Sequence, residues 1–139
     1  MAWTLQPTRD DLQALLEAGF ILRAAGRLDD AQVVFQGVQA LSPTSTVAEV
    51  ALGTVDFQRG DYDKARRRYE RVLEANPRDA WAWAHLGEAE LFAKRDEQAR
   101  TALDKAVELD SKGPTGALAR RLLKLADEIR AGRQAAGSE

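Results

Sequence analysis

The sequence has 139 residues, with 20 Lys and Arg against 22 Asp and Glu, a net charge of −2, no Cys and one His. These numbers exclude a disulfide framework, a thiolate nucleophile and any metal site built on Cys or on two His. The near balance of charge also argues against a general nucleic-acid binder, which carries a basic excess. No apolar run approaches the roughly 20 residues that cross a bilayer. Residues 1–11 lack the basic stretch and apolar run of a signal peptide, so the expectation is one soluble, cytoplasmic domain. Ala, Leu, Glu and Arg favour helix, and β-branched residues never alternate over a strand's length. The expected helices run over 9–25, 28–41, 45–59, 62–75, 79–93, 96–109 and 115–131.

In chain order, Trp3 and Leu5 either dock onto the first helix or lie in a groove. Gly26 and Gly60 sit at the turns after the first and third helices, where a residue with positive φ is needed. Pro43 and Pro77 end the second and fourth helices, because Pro cannot continue them. Thr46 and Glu49 have capping-box spacing at the start of the third. Asp61 and Asp63 stand at the start of the fourth, where carboxylates suit the helix dipole. Gly113-Pro114-Thr115-Gly116 is a break. Beyond it Leu118, Leu122, Leu125, Ala126 and Ile129 make an apolar stripe, and Arg120, Arg121, Lys124, Asp127 and Glu128 a polar face. Residues 132–139 read as a frayed, flexible tail.

The chain repeats itself. Gly19, Gly53 and Gly87 are spaced by 34 residues, as are Ala31, Ala65 and Ala99. Three equal units follow, 12–45, 46–79 and 80–113, between an N-terminal segment (1–11) and a C-terminal helix (114–131). Counting within each unit, positions 4, 7, 8, 11, 20, 24, 27 and 32 hold Leu15, Ala18, Gly19, Leu22, Ala31, Phe35, Val38 and Pro43 in the first. The second holds Glu49, Leu52, Gly53, Asp56, Ala65, Tyr69, Val72 and Pro77. The third holds Trp83, Leu86, Gly87, Glu90, Ala99, Leu103, Ala106 and Ser111. This pattern resembles the tetratricopeptide repeat (TPR), departing from it at Glu49, Asp56, Glu90 and Ser111. The resemblance implies an all-α, right-handed solenoid of three helix-turn-helix repeats, closed by the C-terminal helix as a polar-faced cap. Gly or Ala at positions 8 and 20 would let paired helices cross closely, with the residue at position 24 filling the space beside them.

No catalytic constellation, cofactor motif or metal cluster is legible, and the expectation is a protein that is not an enzyme. His85 has no Ser, Cys or second His at a telling spacing. Asp56, Glu88 and Glu90 read as acids on exposed helix faces. Arg66, Arg67, Arg68 and Arg71 read as a solvated outer face, with Asp63–Arg67 and Arg66–Glu70 as i,i+4 pairs.

The TPR resemblance places positions 2, 5, 9 and 12 of each first helix on the concave side. These are Gln13, Leu16, Phe20 and Arg23; Val47, Val50, Thr54 and Phe57; and Trp81, Ala84, Glu88 and Leu91. Most are apolar, an alignment that marks a partner site. Trp81 is the aromatic anchor, and Trp83 belongs to the core. The Lys, Asn and Arg clamp with which some TPR co-chaperones grip acidic tails is not matched at Leu16, Phe20, Ala51, Trp81 or His85. The implied function is binding of an apolar-bearing helix or extended segment of a partner protein. In size and organisation the chain is similar to the bacterial type III secretion chaperones of translocator proteins. The alternative is a scaffold subunit of a secretion, pilus or motility complex. The solenoid ends, with Trp3 and Leu5, offer a surface for pairing two copies; nucleic acid and membrane insertion are not expected.

Overall fold

The computed structural model describes residues 6–137. Trp3 and Leu5 lie outside the described residues. Seven helices follow one another: α1 (Arg9–Ala24), α2 (Leu28–Leu41), α3 (Thr46–Gln58), α4 (Tyr62–Ala75), α5 (Ala80–Phe92), α6 (Asp96–Leu109) and α7 (Pro114–Gly137). There is no strand among the described residues. Helices pair within each unit (α1 on α2, α3 on α4, α5 on α6), and each pair packs on the next. The result is an all-α solenoid of three helix pairs with a C-terminal helix.

Small residues set the spacing. A Cβ added at Gly19 would stand at 2.3 Å from Phe35, and one at Gly53 at 2.3 Å from Tyr69. At Gly87 it would meet Leu103 at 2.5 Å. Phe35, Tyr69 and Leu103 are each fully buried, as are Ala31, Ala65 and Ala99. Each large side chain thus fills the hollow that a glycine leaves on the facing helix. Burying one such side chain is worth about 1.5–3 kcal/mol, available here only because the backbones approach so closely.

The turns repeat as well. Gly26 (φ 79°) and Gly60 (φ 84°) take the left-handed conformation, and Lys94 (φ 66°) takes it in the third unit. In each, the following N–H reaches back to close the helix: Arg27 to the Leu22 carbonyl, Asp61 to that of Asp56 and Arg95 to that of Glu90, all at 2.9 Å. This is a Schellman closure. Lys94 carries a Cβ where its two equivalents carry none, a conformation that costs an L-residue about 1–2 kcal/mol.

Helix starts are capped by short polar side chains. Thr8 and Asp11 form a reciprocal capping box on α1, and Asp61 and Asp79 accept from Lys64 N and Ala82 N. The hydrogen bonds from Thr8 hold the Asp11 carboxyl below its ordinary pKa. The box expected at Thr46 and Glu49 does not form. Ser45 is the N-cap residue of α3, with no side-chain cap bond, and Glu49 turns instead to Gln39, Arg68 and Arg71.

α7 starts at Pro114, as suits a first helical residue. Asp110 accepts from Gly113 N (3.0 Å) and Gly116 N (3.3 Å), tying the end of α6 to the start of α7. Leu122 and Ala126 are buried against α5 and α6, with Leu118, Leu125 and Ile129 packed beside them. The helix runs past residue 131 to Gly137. The expected frayed tail is therefore helical over 132–137, where Arg133 reaches Asp96 of α6 at 2.8 Å.

Ile21, Val55 and Ala89 are equivalent by the 34-residue spacing; Val55 and Ala89 are fully buried against the preceding unit, whereas Ile21 is 69% exposed.

Candidate functional site

The first helices of the units, α1, α3 and α5, lie side by side, with α1 and α5 both packed on α3. These three helices carry the twelve residues expected to line a groove. Gln13 is exposed and donates to Glu17 at 3.1 Å. Val47 is 38% exposed. Leu16, Phe20, Arg23, Phe57, Trp81 and Glu88 are half-buried.

Four of the twelve are not open. Val50 lies in the core with Tyr69 and Leu86. Thr54 is buried, its hydroxyl donating to the Ala51 carbonyl at 2.6 Å. Ala84 and Leu91 are buried in the cluster that α7 completes. The cause is packing beyond the unit: α7 crosses α5 as well as α6, and α3 is flanked on both sides. The Phe20 ring of α1 meets the Trp81 ring of α5 edge-on at 6.0 Å. That pair bridges the first helices of the first and third units, Phe20 packing on the cluster of Phe35, Ala51 and Val55 and Trp81 on that of Val50 and Tyr69.

Around this pair the face is aromatic with a few charges. Phe20 also packs on Phe35 at 5.0 Å, and the Arg23 guanidinium lies 5.8 Å from the Phe20 ring. His85 stands 5.3 Å from Trp81 and 6.0 Å from Tyr69, with Nδ1 3.3 Å from Glu88. Burial pushes the Tyr69 phenol well above its ordinary pKa, with Glu88 adding to the shift and Arg23 opposing it. Toward the turn end, Phe57 meets Phe92 at 5.1 Å and Tyr62 at 5.3 Å. Phe92 is 47% exposed. Tyr62 and Phe92 extend the apolar strip, though sequence reasoning missed both. The signal available was that Phe92 follows directly on the groove position held by Leu91.

Three expectations about charge fail. Arg68 is not on a solvated outer face. Its side chain is only 15% exposed, and its Nε donates to Asp56 at 2.6 Å while Nη1 reaches Glu49 at 3.3 Å. Asp56 and Glu90, read as exposed acids, are each 4% exposed. Both sit where the first and second helices of a unit face each other, so the departures at Glu49 and Asp56 are matched by Arg68. Asp63 pairs with Arg66 (3.4 Å) and Arg95 (3.2 Å) rather than with Arg67. The Arg66–Glu70 pair forms at 3.8 Å. Trp83 is half-buried, and its indole N–H donates to the Pro77 carbonyl at 2.8 Å.

Among the described residues no cluster of His, Asp and Glu could hold a metal ion, and no helix is long and apolar enough to cross a membrane.

Two tetratricopeptide-repeat family models match the chain, over residues 22–71 and 50–114. Among solved structures, the chain is similar to PcrH from Pseudomonas aeruginosa, with TM-score 0.74 and 24% identity over 94% of this chain and 99% of that one. It is also similar to PcrH in complex with the chaperone binding region of PopB, with TM-score 0.69 and 27% identity over 83% and 94%. A third is the Yersinia enterocolitica type III secretion translocator chaperone SycD, with TM-score 0.75 and 24% identity over 87% and 91%. Three in-register units, the glycine-on-ring crossings and the two model matches lead to one conclusion: the chain belongs to the tetratricopeptide-repeat family.

Proposed function

We propose that the chain is a non-enzymatic binding module that holds an apolar-bearing segment of a partner protein on its concave face, in the manner of a secretion chaperone. One observation carries this reading: Leu16, Phe20, Phe57 and Trp81, from three separate helices, remain half-exposed, with Phe20 against Trp81 and Phe57 against Phe92, itself 47% exposed. Each of the four packs its inner side on the core and leaves the rest open, and apolar surface left open in this way marks an interaction site. Large aromatic rings carry most of the energy at such sites. The likeness to PcrH, solved in complex with the chaperone binding region of PopB, supports the binding of a segment of a partner protein. Gln13, Arg23, Val47 and Glu88 supply its polar and peripheral contacts. Val50, Thr54, Ala84 and Leu91 act from beneath, by holding the three helices in place.

The test is recovery of the native partner with tagged protein carrying Phe20→Glu, Phe57→Glu or Trp81→Glu. Each variant is expected to keep its helical circular dichroism and to lose partner recovery by about tenfold or more, the scale of a buried aromatic anchor. Undiminished recovery with all three contradicts the proposal and favours the scaffold reading, in which outer residues such as Arg67 and Arg71 make the contacts.

A further inference from the structure

The second and third units solve the same packing problem differently. By the 34-residue spacing, Arg68 corresponds to Ala102, Glu49 to Trp83 and Asp56 to Glu90. In the second unit the Arg68 guanidinium fills the space between the paired helices and meets both carboxylates. In the third unit Ala102 has no such reach. A cavity of about 390 Å³ lies there, lined by apolar Trp83, Leu86 and Ala102, by Gln98 and Thr101 and by acidic Glu70, Glu90 and Glu97, with no basic side chain in its wall among the described residues.

The Glu90 side chain is only 6% exposed, yet its carboxylate makes no hydrogen bond among the described residues; Arg66 and Arg95 stand 3.9 Å away. Arg95 pairs more closely with Asp63, at 3.2 Å, and Arg66 turns its Nη2 to Asp63 at 3.4 Å, while its buried Nε, 3.8 Å from Glu70 and 3.9 Å from Glu90, hydrogen-bonds neither. Burial pushes the Glu90 carboxyl above its ordinary pKa, Arg66 opposing and Glu70 and Asp63 adding. A buried carboxylate short of donors is costly, and native structures keep few such groups without a reason.

We propose that this cavity between α5 and α6 is a binding site for a guanidinium group, supplied by an arginine side chain of a bound protein. The geometry of the second unit shows the ligand that the third lacks. The planar guanidinium hydrogen-bonds Glu90 in the way Arg68 bonds Asp56, and the Trp83 indole offers it an aromatic surface. The site lies apart from the concave face and stands or falls independently of it.

The test uses L-argininamide, with L-citrullinamide as the control that replaces guanidinium by urea, followed by NMR of the Trp83 indole N–H. Argininamide is expected to give a saturable shift and citrullinamide none. Glu90→Gln is expected to weaken the response about fivefold or more, as loss of a charge-assisted hydrogen bond implies. Ala102→Arg supplies the group from within the chain; it is expected to abolish the shift and raise Tm. Phe20→Glu, on the concave face, is expected to bind argininamide as the unaltered chain does. The proposal is overturned by the absence of a saturable shift, by an equal response to citrullinamide, or by Ala102→Arg binding argininamide undiminished.

Discussion

Replacing Gly53 with Val is expected to cost about 3 kcal/mol of stability, the upper range for overpacking a core, and to lower Tm by about 10 °C for a chain of this size. The new Cβ would stand at 2.3 Å from one ring carbon of Tyr69 and 2.8 Å from the next. Tyr69 is fully buried and packed among Val50, Ala65 and Leu86, so the ring cannot swing aside. The helices must separate instead, which loosens the second unit and both of its neighbours. Gly37 is the control. It lies within α2 and is exposed, and a Cβ there meets nothing within 4 Å. Gly37→Ala is expected to raise stability by about 0.5–1 kcal/mol through helix propensity alone. Equal effects at the two positions, measured by chemical denaturation, would contradict the close crossing.

Arg68→Met is expected to cost about 3 kcal/mol, the lower range for removing one partner from a buried ion pair. It leaves Asp56, with a side chain 6% exposed, facing only Lys64 at 3.9 Å. Glu49 suffers less, because it keeps Arg71 at 2.9 Å and Gln39 at 2.7 Å, which is why the lower range applies. Removing the whole network tests the cause. The triple variant Glu49→Leu, Asp56→Leu, Arg68→Met is expected to regain most of the loss, since a well-packed apolar replacement of a buried ion cluster is often neutral or better. If the triple variant is less stable than Arg68→Met, the loss does not come from uncompensated charge.

These two sites mark what the sequence made legible. The 34-residue spacing of Gly19, Gly53 and Gly87 identified the repeat, and the caps, turn glycines and Pro residues placed the first six helices and the start of the seventh within about one residue, whereas the end of α7 was set six residues short of Gly137. That much rests on local chemistry repeated three times. Arg68, Asp56 and Glu90 were misread because a charge in a sequence reads as surface, and only the facing helix reveals its partner. Ala84 and Leu91 fit the TPR groove positions, but α7 crosses α5 and covers them. Nothing in their own unit announces that. The cavity beside Glu90 was illegible for the same reason, being the space that Ala102 leaves, visible only once the third unit is compared with the second. Lys94 could have been found, since it stands 34 residues after Gly60.

The concave face is the centre of this account, and a photo-crosslinking map of the recovered partner tests it most directly. A photoreactive phenylalanine analogue is placed at Leu16, Phe57 or Phe92 on the concave side and at Val33 or Arg67 on the outer side, all exposed or half-exposed positions. Crosslinks to the partner are expected from the first set and none from the second. Crosslinks from Val33 or Arg67, with none from the concave positions, would contradict a concave binding face.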